Sequence, residues 1–262
     1  MMNGILFAFL GTIVTFLVTT LGAAGVFCMK RDVNETWQSG FLGFAGGVMI
    51  AASVWSLLLP GIDFAEEQGQ IGWLVVTVGF LTGVLLLLLA DNLLKRWYRR
   101  EAGQEISLRK STMMLVTAIT VHNIPEGMSV GLAFALAAQQ LENPALLSGA
   151  IALTIGIAIQ NFPEGTAVAL PLQKEGMGKW KAFFIGSMTA IVEPIFGVLV
   201  AIFAGAARSC IALALSFAAG TMIYVVVEEL IPEAHMEEEG KAGTLGFIVG
   251  FLVMMILDVA LG

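Results

Sequence analysis

The sequence predicts an all-α integral membrane protein of eight transmembrane helices, and three observations carry that expectation. Of 262 residues, 58% are hydrophobic and only 13% charged, with a mean hydropathy of +0.89, whereas a soluble domain carries about 25% charged residues. Uncharged apolar runs recur along the whole length at about 20 residues, enough to cross about 30 Å of hydrocarbon at about 1.5 Å per residue. The charges gather between these runs instead of alternating with them as the polar face of a soluble helix would. No stretch remains for a soluble domain, so 1–262 reads as a single polytopic membrane domain.

With the charged clusters as loop markers, spans are expected near 4–27, 39–59, 71–93, 111–138, 145–171, 182–206, 209–231 and 242–261. The first run has no basic residue before Lys30, so it lacks the positive leader of a secretory signal and is expected to be a retained helix. Lys30, Arg31, Lys95, Arg96, Arg99, Arg100, Arg109, Lys110, Lys174, Lys179, Lys181 and Lys241 fall in or beside the odd-numbered loops, and only Arg208 falls on the other face. The positive-inside bias makes the odd loops cytoplasmic and puts both termini outside a cell membrane, the inner one if the cell is bacterial. The outer face carries Asp63, Glu66, Glu67 and Glu142. A formal charge of -7 argues against nucleic acid as a partner. Cys28 and Cys210 are expected near opposite faces, too far apart for a disulfide.

Two internal repeats stand out. Phe44-Ala45-Gly46-Gly47-Val48-Met49-Ile50 in the second span matches Phe217-Ala218-Ala219-Gly220-Thr221-Met222-Ile223 in the seventh at five of seven positions, 173 residues later. These two spans run in opposite directions, as an inverted repeat requires. The second pair joins consecutive antiparallel spans: His122-Asn123-Ile124-Pro125-Glu126-Gly127 in the fourth and Gln160-Asn161-Phe162-Pro163-Glu164-Gly165 in the fifth. Equivalent motifs on antiparallel neighbours can face each other at similar depth and build one site from two halves.

Positions i and i+4 share a helix face, so His122 sits over Glu126 and Gln160 over Glu164. Pro125 and Pro163 strip the carbonyls of Val121 and Ile159 of their helical partners. The sixth span adds Glu193 before Pro194. An ionised carboxylate in a bilayer costs at least about 2.5 kcal/mol on insertion scales and marks ion pathways or finds a partner, yet no Lys or Arg lies in a span near these three acids. Three carboxylates and one imidazole call for a cation. One divalent ion leaves a net charge of -1 and two leave +1, so the count admits either. The mixed nitrogen and oxygen set suits zinc, iron, manganese or cadmium better than calcium.

Taken together, these residues resemble the ZIP (Zrt/Irt-like protein) metal transporters, and within them the bacterial GufA-like branch. The resemblance covers nearly the whole chain and is carried by the paired Asn-x-Pro-Glu-Gly motifs. It implies an inverted 3+2+3 repeat around the fourth and fifth spans. It also implies a first metal on His122, Glu126, Gln160 and Glu164, and a second on Asn123, Glu126, Asn161, Glu164 and Glu193, with Glu126 and Glu164 bridging. Zinc or another divalent transition metal is then transported substrate, one or two ions at a time, with no resident cofactor and no enzymatic activity. The partners are the ion and the bilayer, and a homodimer is left open. By resemblance, the last trio of spans and the central pair would move as a unit in an elevator-like step. The sequence departs from many members in having Gln160 where a histidine is common, and from some bacterial members in having Asn161 where they have an acid.

Several features read first as ordinary structure. The stretch Glu228 to Glu239 with His235 is a solvated helix end, or else a release path using His235 and Glu229. Asp91 and Asn92 suit interfacial pairing, and Met49 and Ser53 suit packing. The acids of the outer loop, Asp63, Glu66 and Glu67, suit solvent or an entrance that concentrates cations. The chain holds no Walker-type phosphate loop, so an ion gradient would drive transport. A channel or sensor sharing the site is an alternative. An intramembrane metalloenzyme is disfavoured, because the His-Glu-x-x-His pattern is missing.

Overall fold

Helix dominates because the sequence leaves the backbone no other way to satisfy itself in lipid. A computed structural model of the chain describes residues 2–28, 35–102, 108–174, 176–206, 210–234 and 241–261. They form eight helical rods: α1 (Met2–Ala23, continued by Gly25–Cys28), α2 (Glu35–Ala52, Ser53–Leu58 and Leu59–Glu67), α3 (Gly72–Ala102), α4 (Leu108–Gln139), α5 (Pro144–Lys174), α6 (Lys179–Met188, Thr189–Ile191 and Val192–Ala206), α7 (Ile211–Val225, Val226–Leu230 and Ile231–Glu233) and α8 (Ala242–Leu261). Seven are long and apolar enough to cross a membrane. The exception is α4, whose apolar character is diluted by His122, Asn123 and Glu126. It is also the enclosed rod: every residue from 122 to 137 is buried or half-buried. By contrast α5 shows lipid a stripe of Leu147, Ile151, Ile155, Ile159 and Phe162.

Local chemistry sets the boundaries that differ from expectation. The third helix does not stop near 93 but runs to Ala102, carrying Lys95, Arg96, Arg99 and Arg100 on helix instead of loop. Long basic side chains are good helix formers and lose nothing by extending a helix into water. At the start of α5, Asn143 Oδ1 accepts from the amide of Ala145 at 3.2 Å, and Pro144 takes the first helical position, where its missing N–H costs nothing. In α6 a 3₁₀ turn at Thr189–Ile191 precedes Glu193 and Pro194. Pro194 cannot donate to the carbonyl of Ala190, and the helix tightens there.

The repeat between the second and seventh rods extends beyond the matched sequence. Each contains a π-helical segment, Ser53–Leu58 in α2 and Val226–Leu230 in α7, and each segment is followed by a proline, Pro60 or Pro232. The packing has the same symmetry. α2 packs chiefly on α8 and α7 on α3, while α1 packs on α5 and α6 on α4. Exchanging α1 with α6, α2 with α7, α3 with α8 and α4 with α5 maps these contacts onto each other, the pattern an inverted repeat produces. Glycines make the closest approaches. A Cβ on Gly127 would overlap the backbone of Glu193 in α6, and one on Gly165 would overlap that of Thr19 in α1. Such small-residue contacts let helices meet where lipid supplies no hydrophobic drive between them.

These contacts divide the rods into α1, α4, α5 and α6 on one side and α2, α3, α7 and α8 on the other. The grouping implied by resemblance, with α6 to α8 joined to the central pair, is not the one the packing makes. α6 belongs with α4, and α7 and α8 pack on α3 and α2.

Candidate metal site

Where α4 and α5 cross, every sequence-predicted ligand is buried: His122, Asn123, Glu126, Gln160, Asn161 and Glu193 are at most 3% exposed, and Glu164 is 6% exposed. One ligand atom from each of His122, Glu126 and Glu164 lies within 4.8 Å of the other two. His122 Nε2 is 3.3 Å from Glu126 Oε1, one turn on along α4, and 3.7 Å from Glu164 Oε1 across the crossing. The i,i+4 spacing thus puts His122 beside Glu126, and the antiparallel motifs bring Glu164 up to the same imidazole.

The remaining predicted residues attach at two edges of this trio. Gln160 Nε2 donates to Glu126 Oε1, and Asn161 Nδ2 donates to Glu193 Oε1 at 3.0 Å. Asn123 is buried and neither its nitrogen nor its oxygen has a hydrogen-bond partner. Glu126 Oε2, Gln160 Oε1 and Glu193 Oε2 are unpartnered too. Oxygen acceptors cut off from both water and donors are costly. No Lys or Arg among the described residues pairs with Glu126, Glu164 or Glu193. A divalent cation is the partner this chemistry fits: one imidazole nitrogen and several oxygens, with an acidic charge that one ion nearly cancels.

Residues beyond the motifs also bear on the site. Thr15 of α1 offers its carbonyl to Asn161 Nδ2 at 3.4 Å, so α1 forms a wall the sequence did not signal. Asp258 was missed as well. It is 7% exposed in α8, accepts from Ser56 Oγ of α2 at 2.7 Å, and lines a cavity of about 510 Å³ with Asp63, Glu67, Gln140 and Asn143. Its place near the end of an apolar span was the available signal. The outer-loop acids are thus split: Asp63 and Glu67 line this cavity, and Gln140 donates to Glu67. Glu229 is near enough to His122 and Glu164 to act on them electrostatically, whereas His235 lies outside the described residues. Ser53 donates to its own helix at Met49, and Asn92 to its own helix at Leu88.

A buried imidazole and carboxylate cluster where two repeated motifs meet, in a chain of apolar membrane-length helices, fits the class of membrane protein that handles metal ions. The chain belongs to the ZIP zinc transporter family, whose model, described as ZIP Zinc transporter, matches residues 99–258. It is 37% identical to Zinc transporter ZIPB of Bordetella bronchiseptica, over 98% of this chain and 82% of that one. It is 35% identical to Zinc transporter ZIP11 of Xenopus tropicalis, over 98% of each. Zinc transporter GufA of Myxococcus xanthus is 31% identical over 93% of this chain and 94% of its own, in line with the expected branch.

Proposed function

We propose that this chain carries divalent transition-metal ions, zinc first among them, from the outer face of a cell membrane into the cytoplasm. The observation that carries this reading is the cluster of His122, Glu126 and Glu164, flanked by buried acceptors with no protein partner. Relatives that match nearly end to end are named zinc transporters, and the family comprises transporters and not enzymes. His122, Glu126, Gln160 and Glu164 hold the first ion, while Asn123, Asn161 and Glu193 complete the site on its far side and set whether a second ion joins.

Metal arrives through the acidic cavity of Asp63, Glu67 and Asp258, exchanges water for the ligands of α4 and α5, and leaves past Glu229. The α1, α4, α5 and α6 group moves against the α2, α3, α7 and α8 group, because the ligands all sit on the first group and the contacts between groups are the sparser ones. The charge bias of the loops puts both termini outside.

Saturable uptake into proteoliposomes, measured for zinc, cadmium, manganese and iron in parallel, tests the function. Saturation with zinc preferred is the expected result, and flux that rises without limit would favour a channel. Orientation is tested separately by labelling single cysteines with an impermeant reagent, after replacing the exposed thiols of Cys28 and Cys210. Q68C should label on intact cells and R100C should not; the opposite pattern would reverse the direction of transport.

A further inference from the structure

Four side chains of the site form one continuous run of hydrogen bonds. Gln160 Nε2 donates to Glu126 Oε1 and, at 3.4 Å, to Asn161 Oδ1. Asn161 Nδ2 donates at 3.0 Å to Glu193 Oε1 and at 3.4 Å to the Thr15 carbonyl. Every N–H of two adjacent amides is thereby directed at an oxygen. Chemistry fixes this orientation, since an amide oxygen turned toward either carboxylate would set acceptor against acceptor. Consecutive residues of α5 thus bridge an acid on α4 to an acid on α6, and Glu126, Gln160, Asn161 and Glu193 are all 0% exposed.

In this arrangement Gln160 serves Glu126 Oε1 through nitrogen and takes up one of that oxygen's acceptor positions. As a ligand, Gln160 would act through Oε1, which has no protein partner, and not through the nitrogen it directs at Glu126 and Asn161. An amide is suited to both roles: it offers donors to a carboxylate in one orientation and an oxygen to a cation in the other.

We infer that Gln160 and Asn161 are stand-ins for the ion, compensating Glu126 and Glu193 during the part of the cycle in which the carrier returns without metal. Buried carboxylates lacking any donor would make that return costly. The inference rests on the carrier reading and adds to it a reason for the residue type at position 160.

Net uptake and exchange separate the two. With purified protein in proteoliposomes, uptake of radioactive zinc into zinc-free vesicles requires the ion-free return, whereas exchange against preloaded unlabelled zinc does not. Q160E keeps an oxygen ligand and removes both N–H donors. Because a carboxylate at 160 also alters zinc binding, the readout is the ratio of net uptake to exchange in the same variant, which should fall by about tenfold or more, since charge-assisted hydrogen bonds are lost from the return step alone. N161D removes the donors that serve Glu193 and should give the same split, so the test survives if one variant fails to fold. Parallel loss of uptake and exchange, or full net uptake in both variants, would overturn the inference. Wild-type protein that shows no saturable zinc exchange would overturn the carrier reading instead.

Discussion

α4 and α5 present the same motif to the site in different chemistry. Both carry Asn-x-Pro-Glu-Gly, and both press the final glycine onto a neighbouring backbone, Gly127 on α6 and Gly165 on α1. One turn before the glutamate, however, α4 has His122 and α5 has Gln160. The neighbours differ as well: Gly127 meets Glu193, an acid, and Gly165 meets Thr19, a neutral residue whose hydroxyl turns back to Thr15. The symmetric backbone fixes where the ligands sit, and the unlike side chains fix the charge and hardness of what they can hold.

Removing a ligand from the stronger half should have the largest effect. His122→Ala or Glu126→Ala should lower zinc uptake by more than about 100-fold, beyond the usual cost of losing an outer-shell partner, while leaving a folded, monodisperse protein. Radioactive zinc uptake by the purified variants checks it, and wild-type flux from either one would remove that residue from the site. Next come the two glycine contacts, where the halves should behave alike. Gly127→Leu and Gly165→Leu both force a side chain into backbone and should each destabilise by about 1–3 kcal/mol or more, read as a drop in thermal transition temperature; a loss confined to one of them would break the symmetry.

Position 160 sharpens the comparison. Gln160→His would give both halves an imidazole, a borderline donor that zinc prefers to a neutral amide oxygen. Zinc affinity should rise by about tenfold relative to manganese, roughly the 1.4 kcal/mol of one improved ligand, and turnover should slow because a tighter site releases less readily. Calorimetric titration paired with uptake rates tests both halves of this expectation. The smallest effect belongs to Gly149 in α5, where a Cβ would meet nothing within 4 Å. Gly149→Ala should raise stability by about 0.5–1 kcal/mol through helix propensity alone, measured as a small rise in the same transition temperature.

What the sequence made legible was what repeats or what is chemically out of place. Duplicate motifs on consecutive antiparallel spans point to a shared site, and a carboxylate such as Glu193 in an apolar run has few roles. The α2 and α7 match was visible, but not its π-helical segments, because an extra residue in a turn leaves no mark in composition. Asp258 escaped notice because an acid near the end of a span resembles an interfacial charge; only its burial against Ser56 separates the cases. The two packing groups were illegible because neighbours in sequence, such as α6 and α7, can belong to different groups in space. The amide bridge from Glu126 to Glu193 depends on side-chain orientation, which spacing cannot supply.

The central claim is that metal binds where α4 and α5 cross, through one imidazole and several oxygens. X-ray absorption at the zinc edge of the loaded protein tests it most directly, compared with the His122→Ala variant loaded at higher zinc. The wild type should show a single imidazole among nitrogen and oxygen scatterers at about 2.0–2.2 Å, and the imidazole signature should vanish in the variant. Sulfur scattering at about 2.3 Å, or an imidazole signal that persists without His122, would place the ion elsewhere in the protein.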